Sequence, residues 1–264
     1  MNNLLTRLPF AAFFISLAVY SIFFAPEWLF LTVVVALVSI ALYEYSRMVE
    51  AKGFWAHPAL LIGMGALVVV SVYFSLSLEV ILLALVAFFV IFFTRKSVDN
   101  GLASTALFIF GLIYIAWFFS QILHIHRLPN GEAWVFFTIL IVKSGDAGAY
   151  FVGKSIGKNK LLEHVSPKKS IEGAWGQMIT SIVLAALSSF YLPGVAMVHL
   201  LILGFSIGIL AQLSDLAESL LKRDAGVKDS GQIPGLGGIL DVLDSLLFTV
   251  PFVYFYLTHL VFHS

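Results

Sequence analysis

Apolar runs follow one another from about residue 8 to the C-terminal end, separated by short polar breaks. A helix needs ~20 mostly apolar residues to cross the hydrocarbon of a bilayer. The pattern predicts about nine such helices, over roughly 8–25, 28–46, 57–76, 78–94, 102–124, 133–152, 174–192, 195–216 and 240–260. The first run has no small-x-small cleavage site after it and leads straight back into apolar sequence, so it reads as a span rather than a removable signal.

Composition agrees with this pattern. Of 264 residues, 60% are hydrophobic and 11% charged, and the mean hydropathy is +1.00. These values exclude a water-soluble globule. The expected fold is an all-α integral membrane protein. With no cysteine, there is no disulfide framework, thiolate metal site or cysteine nucleophile. The net charge is zero, but its placement is informative. Of the 15 Lys and Arg, all but Arg127 and Lys143 fall on the side of the N-terminus. Basic loops stay in the cytoplasm, so the N-terminus is expected there and the C-terminus outside.

The chain changes character near residue 130, which suggests two regions: 1–130, a scaffold of about five helices, and 131–264, where the chemistry gathers. His124 and His126 point apart on a helix and read as a solvated loop end. Lys143 and Asp146 lie inside a span, where ionisable groups face a polar cavity or one another. Two readings stay open for them, a structural i, i+3 ion pair and a functional site. Gly148-Ala-Tyr-Phe-Val-Gly153-Lys154-Ser155 has the letters of a P-loop. It lacks the context, because AYFV continues an apolar helix instead of following a strand.

The loop GKSIGKNKLLEHVSPKKSIEG, residues 153–173, carries Lys154, Lys158, Lys160, Lys168 and Lys169 against Glu163 and Glu172. It reads either as an anchor for anionic headgroups or, from its glycine spacing and Ser-Pro turn, as a shaped loop for a phosphorylated ligand. In QLSDLAESLLKR, Asp215, Glu218, Ser219 and Lys222 fall on one helical face, as two carboxylates below a lysine suited to metal and phosphate. The most polar stretch is KRDAGVKDSGQIPGLGGILDVLDS, residues 222–245. Its glycines allow close backbone approach to a ligand, and it leads into a helix bearing Asp241, Asp244 and Ser245 at i, i+3 and i+4. Carboxylates of this kind suit Mg²⁺, which keeps waters and bridges to substrate phosphates. Without a cysteine or a Ser–His–Asp set, a covalent intermediate is not suggested. Phosphoryl or nucleotidyl transfer is the fitting chemistry, since it relies on positioning and charge.

SLLKRDAGVKDSGQIPGLGGILDVLDS resembles the signature of the phosphatidate cytidylyltransferases, and DAGAYFVGKSIGKNKL, SPKKSIEG and QLSDLAES resemble that family's other motifs in the same order. The resemblance is specific over about 143–250 and topological before it. It implies condensation of CTP with phosphatidic acid to CDP-diacylglycerol and pyrophosphate, with one or two Mg²⁺, in a membrane enzyme that forms a homodimer. No nucleic-acid partner is expected. It also implies a location in the inner or plasma membrane, with the active site facing the cytoplasm. By position, the family's polar residues fall on Asp146, Lys154, Lys168, Lys169, Glu172, Asp215, Glu218, Ser219, Lys222, Arg223, Lys228, Asp229, Asp241 and Asp244. Leu236 and Val242 stand where the family pattern has His and Arg.

On this resemblance, Asp215, Asp241 and Asp244, with Glu218 and Asp146, are the metal-ligand candidates. Asp215, Asp241, Asp244, Lys222, Arg223 and Lys228 are the catalytic candidates. The substrate-binding candidates are Lys154, Lys168, Lys169, Ser219, Gly235, Gly237 and Gly238. A CTP-dependent lipid kinase would use the same nucleotide and metal, but would release CDP and make a phospholipid. A transporter or lipid-binding scaffold would line a path with its intramembrane charges. The absence of an inverted repeat and the clustering of charge at one surface speak against it.

Overall fold

The computed structural model describes residues 15–95, 98–233 and 237–262. The chain is mostly helical. Residues 15–23 are helical, followed by α1 (Glu27–Ala51), α2 (Pro58–Tyr73), α3 (Ser77–Phe92), α4 (Gly101–His126) and α5 (Gly131–Ile156). A small hairpin, β1 (Lys160–Leu162) and β2 (Ser166–Ser170), leads to α6 (Ile171–Leu187), α7 (Met197–Asp224) and α8 (Ile239–Val261). The hairpin, with an isolated bridge between Ile233 and Gly237, departs from the expected all-α architecture.

Among the described residues, six helices are long and apolar enough to cross a membrane: α1, α4, α5, α6 with its 3-10 extension to Phe190, α7 and α8. The chain is a membrane protein. α2 and α3 are apolar but have 16 residues each, so each is about 24 Å long, short of a ~30 Å hydrocarbon core. The expected first span, 8–25, lies largely outside the described residues.

Local chemistry accounts for several boundaries. Pro58 opens α2 behind His57, whose ring accepts the Leu60 N–H at 3.1 Å. After α2 the chain turns at Ser75, with φ of 62°. α4 contains a π-helical segment, Leu112–Trp117, a local widening of the helix. Ser170 caps α6 by accepting the Gly173 N–H at 3.1 Å, and Glu172 places negative charge in its first turn.

Two compact units divide the chain: 1–124 with 224–243, and 125–223 with 244–264. The first unit thus takes in much of the 222–245 stretch, which sequence alone grouped with the second region. Its core is Val34, Val38 and Leu42 of α1, Leu61, Val68 and Val69 of α2, and Leu112 and Ile115 of α4, all buried. In the second unit α5 lies close against α6, because small residues meet there. A Cβ on Gly148 would stand 2.2 Å from Thr180 Oγ1, and one on Gly176 would stand 2.7 Å from the Val152 side chain. In a membrane such close backbone approach gives helices the dispersion contact that hydrophobic burial cannot supply. Trp134, Phe137, Ile141, Leu203, Ile207 and Val250 complete that unit's core.

Candidate active site

α5, α6, α7 and the hairpin of the second unit enclose a cavity of about 320 Å³. Its polar lining is Asp146, Lys154, Lys168, Lys169, Gln177, Gln212 and Asp215, and Tyr150, Ala149 and Leu161 add apolar wall. Lys168 and Lys169 come from β2, which pairs antiparallel with β1 in the register Lys160 to Ser170 and Leu162 to Ser166. Glu172 holds the turn before β1, accepting the Lys158 N–H at 3.1 Å and the Asn159 side-chain amide at 2.8 Å. Lys160 donates across the hairpin to the Pro167 carbonyl at 2.6 Å. The basic loop is therefore shaped, and it presents part of its charge to a cavity.

Two ion pairs organise the carboxylates. Lys169 Nζ lies 2.7 Å from Asp215 Oδ2, with both side chains about a quarter exposed, at 26% and 29%. Lys143 Nζ lies 3.6 Å from Asp146 Oδ2 and donates to Ser245 Oγ at 3.0 Å. Ser245 in turn donates to Asp146 Oδ2 at 3.0 Å, and Gln177 donates to Asp146 Oδ1 at 3.1 Å. Asp244 is within electrostatic reach of Asp215, Asp146 and Lys143. Its backbone carbonyl accepts from Ser214 Oγ, which itself accepts the Phe248 N–H at 3.2 Å. Three carboxylates and two lysines thus share one neighbourhood, a field suited to a polyphosphate with its counter-cation.

The face of α7 divides into two pairs. Ser219 donates to Asp215 Oδ1 at 3.3 Å; Asp215 lines the cavity and Ser219 does not. Glu218 is fully buried and ion-paired with Lys222, itself 9% exposed. Glu218 and Lys222 were expected as metal ligand and phosphate cation, but neither lines the cavity. Arg223 donates to the Val165 carbonyl at 3.3 Å and so braces the hairpin turn. Lys154 lines the cavity, with its ammonium 5.6 Å over the Tyr150 ring.

The remaining candidates belong to the first unit. Lys228 is exposed beside Asp229, at 3.8 Å. Gly237, with φ of +82°, exchanges backbone hydrogen bonds with Ile233, at 2.6 and 3.1 Å. Asp241 Oδ2 accepts the Gly238 N–H at 2.7 Å and the Ser230 N–H at 2.9 Å. Gly235 and Leu236 lie outside the described residues. Among the described residues, no group of three or more His, Asp or Glu is placed to hold a metal ion.

Sequence reasoning gave no role to Gln177, Gln212 or Glu44. Each lies in a largely apolar stretch, with Ser46 and Arg47 close after Glu44 and with Ser214 and Asp215 close after Gln212. For Glu44 that was the available signal, since an ionisable group at membrane depth reads as functional by default.

Comparison with known proteins identifies the family. A "Phosphatidate cytidylyltransferase" of Synechocystis sp. is 33% identical over 273 residues, covering 92% of each chain. One of Bacillus subtilis is 44% identical over 149 residues, covering 55% of each. "Uncharacterized protein YnbB" of Escherichia coli is 38% identical over 149 residues, 56% of this chain and 49% of that one. The alignments to the last two span about half of those relatives. The cytidylyltransferase family description matches residues 5–260, and the chain belongs to that family.

Proposed function

We infer that this protein is a phosphatidate cytidylyltransferase: it joins CTP to phosphatidic acid, giving CDP-diacylglycerol and pyrophosphate. The observation that carries the reading is the cavity where Lys154, Lys168 and Lys169 meet Asp146 and Asp215. Cations there can hold an anionic headgroup or triphosphate. A phosphatidate oxygen attacks the α-phosphorus of CTP, a new P–O–P link forms, and the bond to the β-phosphate breaks in line. The nucleophile is already an anion, so no general base is required. The protein's task is to orient and to neutralise charge.

The chemistry of the donors, though not a preformed metal cluster, suits Mg²⁺. Asp146, Asp215 and Asp244 are hard oxygen donors of the kind Mg²⁺ takes; since no three acidic side chains among the described residues form a ready metal site, a bound Mg²⁺ would rest largely on substrate phosphates and water. When bound, Mg²⁺ supplies neutralisation of the phosphate charge. Lys143, Ser245 and Gln177 orient the Asp146 carboxylate. Lys169, now paired with Asp215, is placed to exchange that partner for a phosphate. Asp241, Lys228, Ser219, Gly237 and Gly238 remain candidates through the signature motif. Glu218, Lys222 and Arg223 serve by holding α7 and the hairpin.

The bias of Lys and Arg favours a cytoplasmic N-terminus and a cavity open to the cytoplasmic side of the cell membrane. With α2, α3 and the helix at 15–23 as partial or full crossings, the expected nine spans stand as part of this proposal, and a homodimer is proposed with them. Product analysis tests the activity. Pyrophosphate and a CDP-lipid support cytidylyl transfer, whereas CDP and a phosphorylated lipid mark a kinase.

A further inference from the structure

Glu44 lies in α1, among helices that read from sequence as scaffold, and it is 6% exposed. A carboxylate in such a position costs several kcal/mol unless it is satisfied. Its partners are all in the signature segment. Oε1 accepts the Ile239 N–H at 2.9 Å, and Oε2 accepts the Leu240 N–H at 2.8 Å and the Ser230 hydroxyl at 2.8 Å. The same hydroxyl stands 3.0 Å from Asp241 Oδ2. A serine hydroxyl has one proton, so Glu44 and Asp241 compete for it, and the position of one carboxylate constrains the other.

Glycines make this approach feasible. A Cβ on Gly238 would stand 2.4 Å from Glu44 Oε2 and 2.6 Å from the Gly231 nitrogen, and one on Gly231 would stand 2.5 Å from Glu44 Oε1. Two of the signature's glycines therefore make room for a carboxylate of the protein itself.

We propose that Glu44 is a positioning residue for cytidylyl transfer: it ties Ser230 to Ile239 and Leu240 and so fixes where Asp241 presents its carboxylate. The proposal rests on the functional reading above, in which Asp241 serves the reaction. It assigns part of the machinery to the N-terminal half of the chain.

The test compares E44Q and S230A with the wild type in detergent, by peptide-resolved amide hydrogen exchange and by steady-state kinetics. In E44Q the side-chain amide turns a donor toward groups that are themselves donors. Exchange of the 238–241 amides should then accelerate at least ~10-fold while α5 and α7 keep their protection. Turnover at saturating CTP should fall roughly 10²-fold, with KM for CTP changed less than about threefold. S230A should shift both in the same direction by less. Acceleration spread evenly over all helices, or kcat within about twofold of wild type, overturns the proposal. If E44Q does not fold, S230A decides: wild-type exchange and turnover there reject it. If the wild type makes no CDP-lipid, the functional reading fails, and unchanged exchange in E44Q would separately show that Glu44 does not hold the loop.

Discussion

Glu218 and Lys222 form an ion pair sealed inside protein, and their chemistry follows from that burial. Removing one partner leaves the other charge without compensation, which costs about 3–5 kcal/mol, whereas replacing both with apolar residues of similar volume is often neutral. Lys222→Met should therefore lower the thermal unfolding midpoint sharply in detergent, and Glu218→Leu with Lys222→Met should restore most of it. If the single variant keeps turnover once it is folded, Lys222 has no part in phosphate contact. Asp215 differs, being a quarter exposed at the cavity with Lys169 as its partner. Asp215→Asn keeps the shape and removes the charge. It should cost turnover about 10²–10³-fold, the scale of losing one preorganised charge contact, with little change in unfolding. The helical spacing of Asp215, Glu218, Ser219 and Lys222 was legible in sequence, but their roles were not. Residues i and i+3 differ by about 60° around a helix and i and i+4 by about 40°. Lys222, seven residues on, stands only about 20° from Asp215 but about 10 Å further along the axis, so a shared helical face did not mean a shared site.

At the scale of elements, the hairpin delivers Lys168 and Lys169 to the cavity, and Glu172 holds its turn through three donors of Lys158 and Asn159. Glu172→Ala should loosen the hairpin, raising KM for CTP several-fold with kcat little changed. An equal fall in kcat and kcat/KM would instead mean that Glu172 acts in the transition state alone. The basic loop's importance was readable from its charge and its Ser-Pro turn, whereas its strand pairing was not, since β1 and β2 are only three and five residues long. Helix positions were legible for the long spans, but α1, α5 and α7 each run about six residues longer than their apolar runs. α2 ends at Tyr73, short of the expected 76, where the chain turns at Ser75 in a left-handed conformation. Glu44 was obscured for a different reason. One carboxylate in an apolar run says little until the partners it reaches, at positions 230, 239 and 240, are brought beside it by the fold.

For the whole molecule, the absence of cysteine allows a direct test of orientation. Ser155→Cys should be labelled by a membrane-impermeant thiol reagent only from the cytoplasmic side, and Asn130→Cys only from outside. The reverse pattern would overturn the orientation read from Lys and Arg. The membrane class was legible from apolar run length alone, and the family from the polar motifs of the C-terminal half. The division into units was not, because chain order hides the return of 224–243 to the first unit. The central claim is cytidylyl transfer at the cavity between α5, α6, α7 and the hairpin. Its most direct test is to incubate the purified protein with CTP, phosphatidic acid and Mg²⁺, following pyrophosphate and CDP-lipid together, with Asp215→Asn beside it. The account predicts that both products appear in equal amounts and fall away in the variant. CDP and a newly phosphorylated lipid, or product formation untouched by Asp215→Asn, would contradict it.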